Sequence, residues 1–411
     1  MFRTVLGNGL RVLVLANPAV DIVSARFFIR SGSRHETQPG LVHLIASVLS
    51  KGTQRRDSMA IAHAVESLGA MLGADGSPDY FQLSIKSLGE DFPALLALAA
   101  ELLNEATFPA EQIEIERKVT LQAIRSQQER PFTVAYNQFR RALYGEHPYA
   151  FAELGTEESV QAIERQQLLA FYRTHFRPDN AIFVCVGPVE PEAVVEQLEA
   201  VLAGWKAPAV PLPTPPASAV LIPAQQTVQT VQPTQQSMVL VGYPAVAVGE
   251  ADFAALKLIG TYLGNGLSSR LFTELREKRG LAYEVSAFFP TRVDRSHFVT
   301  YIGTAPENTR TCEQSLRFEA KRLTQIDLSE EELQIAKNKF LGQYALGKQT
   351  NSQVSQLWGW YEAIGVGADF DRTYTEAIAR LRPEDLRAAA ERTFTEPLVS
   401  LVGPAEVPAL I

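Results

Sequence analysis

The feature that most constrains this chain is a proline-rich interruption near its middle. Pro211 to Pro216 holds four prolines in six residues, inside a run from Ala207 to Pro233 dominated by Pro, Ala, Gln, Thr and Val. Proline fixes φ and removes a backbone donor, so such a run continues neither a helix nor an interior strand. It reads as an extended linker that leads into an edge strand. The expected organisation is an N-terminal domain over 1–206, a linker over 207–233 and a C-terminal domain over 234–411. A length of 411 residues accords with two or three domains of roughly 100–200 residues each.

The two sides of the linker look related. The first closes with Phe183-Val184-Cys185-Val186-Gly187-Pro188, the second with Val399-Ser400-Leu401-Val402-Gly403-Pro404. Each is a short apolar strand ending in Gly-Pro, preceded by a helix that carries Phe176 or Phe394. Matched endings in two halves of similar length point to an internal duplication. At the N-terminus, Asn8-Gly9 between two apolar runs predicts strand, tight turn, strand.

Periodicity predicts strands at 9–15 and 22–30, helices at 39–51 and 57–69, a strand pair at 71–75 and 79–86, and helices at 90–105, 109–128, 132–143 and 166–174. After the linker come a strand at 236–243, helices at 250–263 and 268–278, strands at 282–290 and 296–304, and helices at 307–325, 329–348 and 351–363. The order is not a strict β-α-β-α alternation. It predicts an α+β class with two similar domains, each a mainly antiparallel sheet with helices packed on one face.

Composition removes several classes of function. Apolar residues make up 46% and charged residues 20%, which allows an ordinary core and argues against disorder. The net charge of −8 and the lack of a Lys/Arg block give no nucleic-acid surface. No apolar stretch reaches the roughly 18 residues of a membrane span. Cys185 and Cys312 belong to no CxxC, so neither a disulfide framework nor a cysteine zinc site is expected. With no secretory signal pattern, the expected location is cytoplasmic, or periplasmic or organellar if a leader has been removed.

The stretch from Gly32 to Thr53, and within it Gly40-Leu41-Val42-His43-Leu44-Ile45-Ala46-Ser47, resembles the signature of pitrilysin-type zinc metallopeptidases, the group that includes mitochondrial processing peptidase. In active members the centre reads H-x-x-E-H on a helix. Residues at i and i+4 share a face, so both imidazoles reach one metal and the Glu between them serves as general base. Here His43 matches the first histidine, Ala46 stands at the base and Ser47 at the second histidine. The distant segment that supplies the third ligand corresponds to Glu116-Arg117-Lys118-Val119-Thr120-Leu121-Gln122-Ala123. Ala123 falls on the ligand Glu, and Glu116 on an auxiliary acid one heptad earlier. A catalytic zinc needs three protein ligands, so no metal is expected on this chain. His43 otherwise reads as a helix residue that is hydrogen-bonded or semi-exposed. His63 reads as packing or surface, and His35, His147, His175 and His297 show no ligand-type spacing.

The second half keeps its signature. Leu263-Gly264-Asn265-Gly266-Leu267-Ser268-Ser269-Arg270-Leu271-Phe272, followed by Leu275-Arg276-Glu277-Lys278-Arg279-Gly280-Leu281-Ala282-Tyr283, resembles the family's C-terminal motif. There an Arg and a Tyr project toward the zinc centre of an opposing domain, which by position are Arg276 and Tyr283. A guanidinium can hold a substrate main chain by forked hydrogen bonds, and a phenol can donate to an oxyanion. Alternatively, Arg276 is a surface helix residue and Tyr283 an ordinary strand aromatic. Gly264, Asn265 and Gly266 are candidates for a loop that bends close to substrate, or form a plain helix connection.

The resemblance runs over roughly residues 1 to 405 and implies the mitochondrial processing peptidase-like metallohydrolase fold, four domains from two subunits enclosing a chamber. The expected function is a zinc-less subunit of a heterodimeric zinc metalloendopeptidase. It would lend Arg276 and Tyr283 in trans to a homologous partner that holds zinc in H-x-x-E-H. The chain would be inactive alone. Substrates would be peptides or unfolded polypeptides that add to a sheet edge. A second reading is a structural or peptide-binding member without proteolysis, like core subunits of respiratory complexes. A third, an unconventional enzyme using Ser47, lacks a histidine at general-base spacing.

Overall fold

A computed structural model describes residues 1–214, 218, 221 and 226–405. Strands β1 (Phe2–Val5) and β2 (Arg11–Ala16) flank the expected turn, with Gly9 at φ 96° and the Leu10 N–H donating to Asn8 Oδ1 at 3.1 Å. Then come β3 (Val23–Ile29), α1 (Leu41–Val48), α2 (Ser58–Glu66), the hairpin β4 (Met71–Gly76) and β5 (Phe81–Ser87), and α3 (Phe92–Glu105). Helices α4 (Ala110–Gln128), α5 (Pro131–Tyr144), α6 (Glu157–Ala162) and α7 (Arg165–His175) lead into β6 (Ala181–Gly187) and α8 (Pro191–Val201).

Beyond the proline-rich run, part of which lies outside the described residues, come β7 (Gln226–Val231), β8 (Ser237–Ala245), α9 (Phe253–Gly264), β9 (Glu284–Phe288) and β10 (Ser296–Thr304). The chain ends with α10 (Thr309–Arg322), α11 (Glu330–Leu346), α12 (Asn351–Ala363), α13 (Phe370–Arg380), α14 (Pro383–Thr393) and β11 (Leu398–Gly403). Among the described residues no helix is long and apolar enough to cross a membrane.

The strands form two sheets, in the orders β1-β2-β6-β3-β5-β4 and β7-β11-β8-β10-β9. In each sheet one pair is parallel, β2 with β6 and β7 with β11, and the remaining neighbours are antiparallel. The strand that follows the linker, β7, lies at a sheet edge, where a proline-flanked strand is tolerated. The paired endings of the halves, β6 and β11, occupy interior positions and are buried along their whole lengths. This is the fold class that the element order predicts: two α+β domains built on mainly antiparallel sheets.

The chain also exchanges helices between its halves. One compact unit comprises Met1–Ile124, Ala152–Pro216 and Leu346–Phe370, the other Arg125–Phe151, Ala217–Ala345 and Asp371–Ile411. In the first unit α1, α3, α7 and α8 cover one face of the sheet, over a core that includes Val23, Ala25, Phe27 and Ile29 of β3. The opposite face carries α12, drawn from beyond the linker and packed on β3 and β6. In the second unit α9, α10 and α14 pack on one side, and α5, drawn from before the linker, lies over β11, β8 and β7.

Both borrowed helices seat by the same device with the roles reversed. On α12 the glycine is on the helix: a Cβ at Gly359 would sit 2.0 Å from the ring of Phe28 on β3. On α5 the aromatic is on the helix: Phe139 lies so close to β8 that a Cβ at Gly242 would be 2.3 Å from its ring. Phe28 and Phe139 are both fully buried, and each such side chain contributes about 1.5–3 kcal/mol on leaving water.

Candidate functional site

The degenerate motif sits on α1, whose entry is sharply defined. Gly40 precedes the helix at φ 92°, and a Cβ there would meet Leu154 O at 2.7 Å. The Glu36 carboxyl accepts from the Gly40 N–H at 3.1 Å and the Val42 N–H at 2.9 Å, filling orphan donors at the helix start. Burial pushes the Glu36 carboxyl up to about 8, while the backbone N–H groups of Val42, Gly40 and Leu41 pull it down.

His43 is half-buried. Burial lowers its pKa, and the negative charges of Asp75 and Glu116 act in the opposite sense. The helix face, the end of β4 and α4 therefore bring His43, Asp75 and Glu116 into one electrostatic neighbourhood. Glu116 is held by Lys51 Nζ at 3.1 Å, so a lysine ammonium supplies the positive charge beside this acid. Ala46 packs half-buried against the core. Ser47 donates its hydroxyl to the His43 carbonyl one turn back at 3.1 Å, a local bond that leaves no activated nucleophile. Ala123 is half-buried on α4, two turns beyond Glu116.

These residues do not fit a zinc ion. The second imidazole and the third carboxylate are replaced by groups without donor atoms suited to the metal, and the remaining acid is tied to a lysine. Among the described residues no group of three or more His, Cys, Asp or Glu side chains could hold a metal. Asp75 and Lys51 carry much of the local field and were not singled out from sequence. The Asp75-Gly76 pair at the hairpin end was their one visible signal. Folding also joins histidines that sequence spacing left isolated: the rings of His35 and His175 lie 5.9 Å apart. His175 Nδ1 bonds Ser31 Oγ at 2.9 Å.

The second group of candidates lies in the other unit. Periodicity predicted a helix over 268–278. The structure has wider turns over Phe272–Glu277, closed by the Lys278 N–H to Thr273 O five residues back, a geometry that recurs at functional sites. Arg276 stands exposed on these turns with its guanidinium 5.0 Å over the Phe272 ring. The helix ends at Gly280, φ 62°, and Tyr283 enters β9 with its N–H on Gly303 O at 2.9 Å. Tyr283 is 63% exposed and lines a cavity of about 360 Å³ with Pro131, Thr234 and Gln236.

The glycine-containing bend has a packing reason for its first residue. A Cβ on Gly264 would lie 1.9 Å from the backbone N of Ala287, so α9 can meet β9 only through glycine. Gly264 O accepts from Ser286 Oγ at 2.7 Å. Asn265 and the left-handed Gly266 (φ 77°) continue the turn, which is tied to α11 by Lys339 Nζ on Asn265 O and by Gln343 on the Asn265 amide.

Comparison with known proteins matches this anatomy. Residues 11–157 match the insulinase (peptidase family M16) model, and residues 162–340 match the model described as the peptidase M16 inactive domain. An uncharacterized zinc protease of Streptomyces coelicolor is 28% identical over 98% of this chain and 89% of its own length. The uncharacterized zinc protease YmxG of Bacillus subtilis is 25% identical over 95% of this chain and 94% of its own. Among solved structures, a peptidase M16 inactive domain from Pseudomonas fluorescens superposes with a TM-score of 0.90 at 24% identity, covering 99% of this chain and 98% of that one. A protease from Helicobacter pylori gives 0.92 at 22% identity, covering 98% and 99%. Two family models in chain order, the whole-length relatives and the shared fold together show that this chain belongs to the pitrilysin-like peptidase family M16.

Proposed function

We propose that this chain is the zinc-less subunit of a heterodimeric zinc metalloendopeptidase. Cleavage would be carried out by a homologous partner with an intact H-x-x-E-H, and this chain would supply Arg276 and Tyr283. The observation that carries the reading is an asymmetry within one chain. The positions for base, second histidine and third ligand hold Ala46, Ser47 and Ala123, while Arg276 and Tyr283 keep the family motif and stand exposed on one short helix-turn-strand segment. The Arg276 guanidinium would fork onto main-chain carbonyls of an extended peptide, and the Tyr283 hydroxyl would donate to the developing oxyanion. Gly264, Asn265 and Gly266 would border that peptide. The free, buried Cys185 and Cys312 accord with a reducing, cytoplasmic setting.

The test is to capture the tagged chain from its native cells and identify what accompanies it. The expected result is a stoichiometric partner carrying H-x-x-E-H and peptide cleavage that chelator abolishes and Arg276→Ala strongly reduces. A chain that elutes alone, without cleavage, overturns this reading in favour of a structural or peptide-binding role.

A further inference from the structure

The outer face of the first sheet carries an unusual charge. Along β3, Val23, Ala25, Phe27 and Ile29 point into the main core, which leaves Ser24, Arg26 and Phe28 on the face covered by α12. Phe28 meets Gly359, and Ser24 Oγ bonds Ser355 Oγ at 3.0 Å. Between these anchors and the start of α12 lies a cavity of about 460 Å³, lined by Arg26, Tyr80, Gln353, Gln356, Leu357 and Trp360.

Arg26 is the one charged side chain in that lining. Its hydrogen bonds all go to neutral acceptors: Nη2 to Ser352 Oγ at 2.9 Å and Ser352 O at 3.5 Å, Nε to Ser355 Oγ at 3.3 Å and Nη1 to Gln82 Oε1 at 3.4 Å. Among the described residues no carboxylate lies within ion-pair distance of it. Asp75, in register with Gln82 two strands away, acts on it only at longer range. A guanidinium cannot shed its proton in a protein, so a half-buried one without a counter-ion retains its desolvation cost. The neutral partners fix its orientation, and Nη1 keeps a second N–H beyond the one given to Gln82.

We propose that this cavity seats a carboxylate of a bound peptide, with Arg26 as its counter-ion. The inference rests on the reading that the chain handles peptides and adds a recognition element to it. A single monovalent guanidinium presenting N–H groups in a plane matches a carboxylate better than a phosphate dianion, which Asp75 would further disfavour. Tyr80, Leu357 and Trp360 give an apolar wall for the adjoining side chain, and Gln353 and Gln356 offer amides to its main chain. Asp75 on β4 acts electrostatically on both Arg26 and His43, so one acid couples the charge of this seat to that of the degenerate motif on the opposite face of the sheet.

The experiment is calorimetric titration of the full-length chain with an N-acetylated alanine–leucine–phenylalanine hexapeptide in two pairs. One pair is the C-terminal acid against the C-terminal amide. The other, with both ends blocked, is an internal Glu against Gln. Each is measured against wild type and Arg26→Gln. Charge-assisted bonds of this kind predict at least about a tenfold preference for the carboxylate form in one pair, which names the source as chain end or side chain. Arg26→Gln is expected to remove that preference while the amide form binds as before. The ligand-side comparison in wild type stands even if the variant folds poorly. Equal affinity for all forms in wild type, or a carboxylate preference that survives in folded Arg26→Gln, overturns the seat and leaves peptide handling intact. Binding of no peptide at all overturns the underlying reading as well.

Discussion

Replacing Gly359 with alanine should destabilise the first unit, against the usual sign for a helix glycine. Gly359 lies inside α12, where exchange for alanine normally contributes about 1 kcal/mol through helix propensity. Here the new Cβ would fall 2.0, 2.5 and 2.8 Å from three ring carbons of Phe28. That ring is 0% exposed, tilted against Tyr80 with centroids 5.4 Å apart and packed with Leu13, Ile182 and Val184, so it has nowhere to rotate. Overpacking of this kind costs about 1–3 kcal/mol. The clash is tighter than ordinary overpacking, so the net effect is a loss of about 1–2 kcal/mol after the propensity gain. Gly342 on α11 is the internal control, because a Cβ there meets nothing within 4 Å and Gly342→Ala should stabilise. Urea unfolding followed by tryptophan fluorescence reads Gly359→Ala, since Trp358 and Trp360 lie on α12, and circular dichroism with amide exchange of α11 reads Gly342→Ala. Phe28→Leu in the Gly359→Ala background should recover part of the loss, a positive coupling for residues in contact. If Gly359→Ala were as stabilising as Gly342→Ala, the seating of α12 through this glycine would be refuted.

Stability should fall on the acid side of neutrality. His35 and His175 are each held down to about 4, chiefly by burial, and His297 well below 6.5 by complete burial between the hydroxyls of Tyr136 and Tyr144, 2.8 Å away on either ring nitrogen. Their folded pKa lies below the unfolded value of 6.5, so the unfolded chain binds more protons. Stability is then full above that value and lost as pH falls below it, at about 1.4 kcal/mol per pH unit for His297 alone. Urea midpoints unchanged between pH 7.5 and 5 would contradict this. Glu36→Ala should cost about 1–2 kcal/mol by removing the acceptors at the start of α1, and Glu36→Gln less, as judged by denaturation and amide exchange of α1. The triple change Ala46→Glu, Ser47→His and Ala123→Glu should rebuild a zinc site, measured as bound metal after dialysis. A folded triple variant without zinc would show the residue correspondence to be wrong.

Much of the fold was written locally. The Asn8-Gly9 turn, the 3.6-residue periodicity of α3, α5 and α10 and the apolar β6 and β11 each announce themselves within a dozen residues. The failure of the zinc motif was legible because it needs particular side chains at fixed spacing, and Ala46, Ser47 and Ala123 cannot supply them. The exchange of α5 and α12 was not legible. Nothing in the local pattern of α12 says that its glycine fits a phenylalanine more than three hundred residues earlier, since the match of Gly359 to Phe28 exists only after both have folded. One hint was present: β6 reads as an unbroken apolar run and β11 as one interrupted only by Ser400, the pattern of strands covered on both faces. The predicted elements omit α6, α8 and α13: α6 is too short to establish a period, whereas α8 and α13 carry apolar residues at helical spacing, a signal that was within reach. The wide turns at Arg276 look in sequence like an ordinary helix. Arg26 was passed over because an arginine on an alternating strand usually faces water, and only α12 makes this one half-buried.

The borrowed helices also set an order of events at the ribosome. Residues 1–206 contain every strand of the first sheet, yet Phe28, Ile182 and Val184 stay uncovered until the segment ending near Phe370 has been made. Roughly ten to thirty seconds separate the two at ordinary elongation rates of about 5–20 residues per second. For that interval the nascent chain displays a wet apolar sheet, the kind of surface that chaperones recognise. A gene cut at the proline-rich run would make the exposure permanent: neither fragment would hold the helix that closes its own sheet, and the two would have to be made together to be soluble.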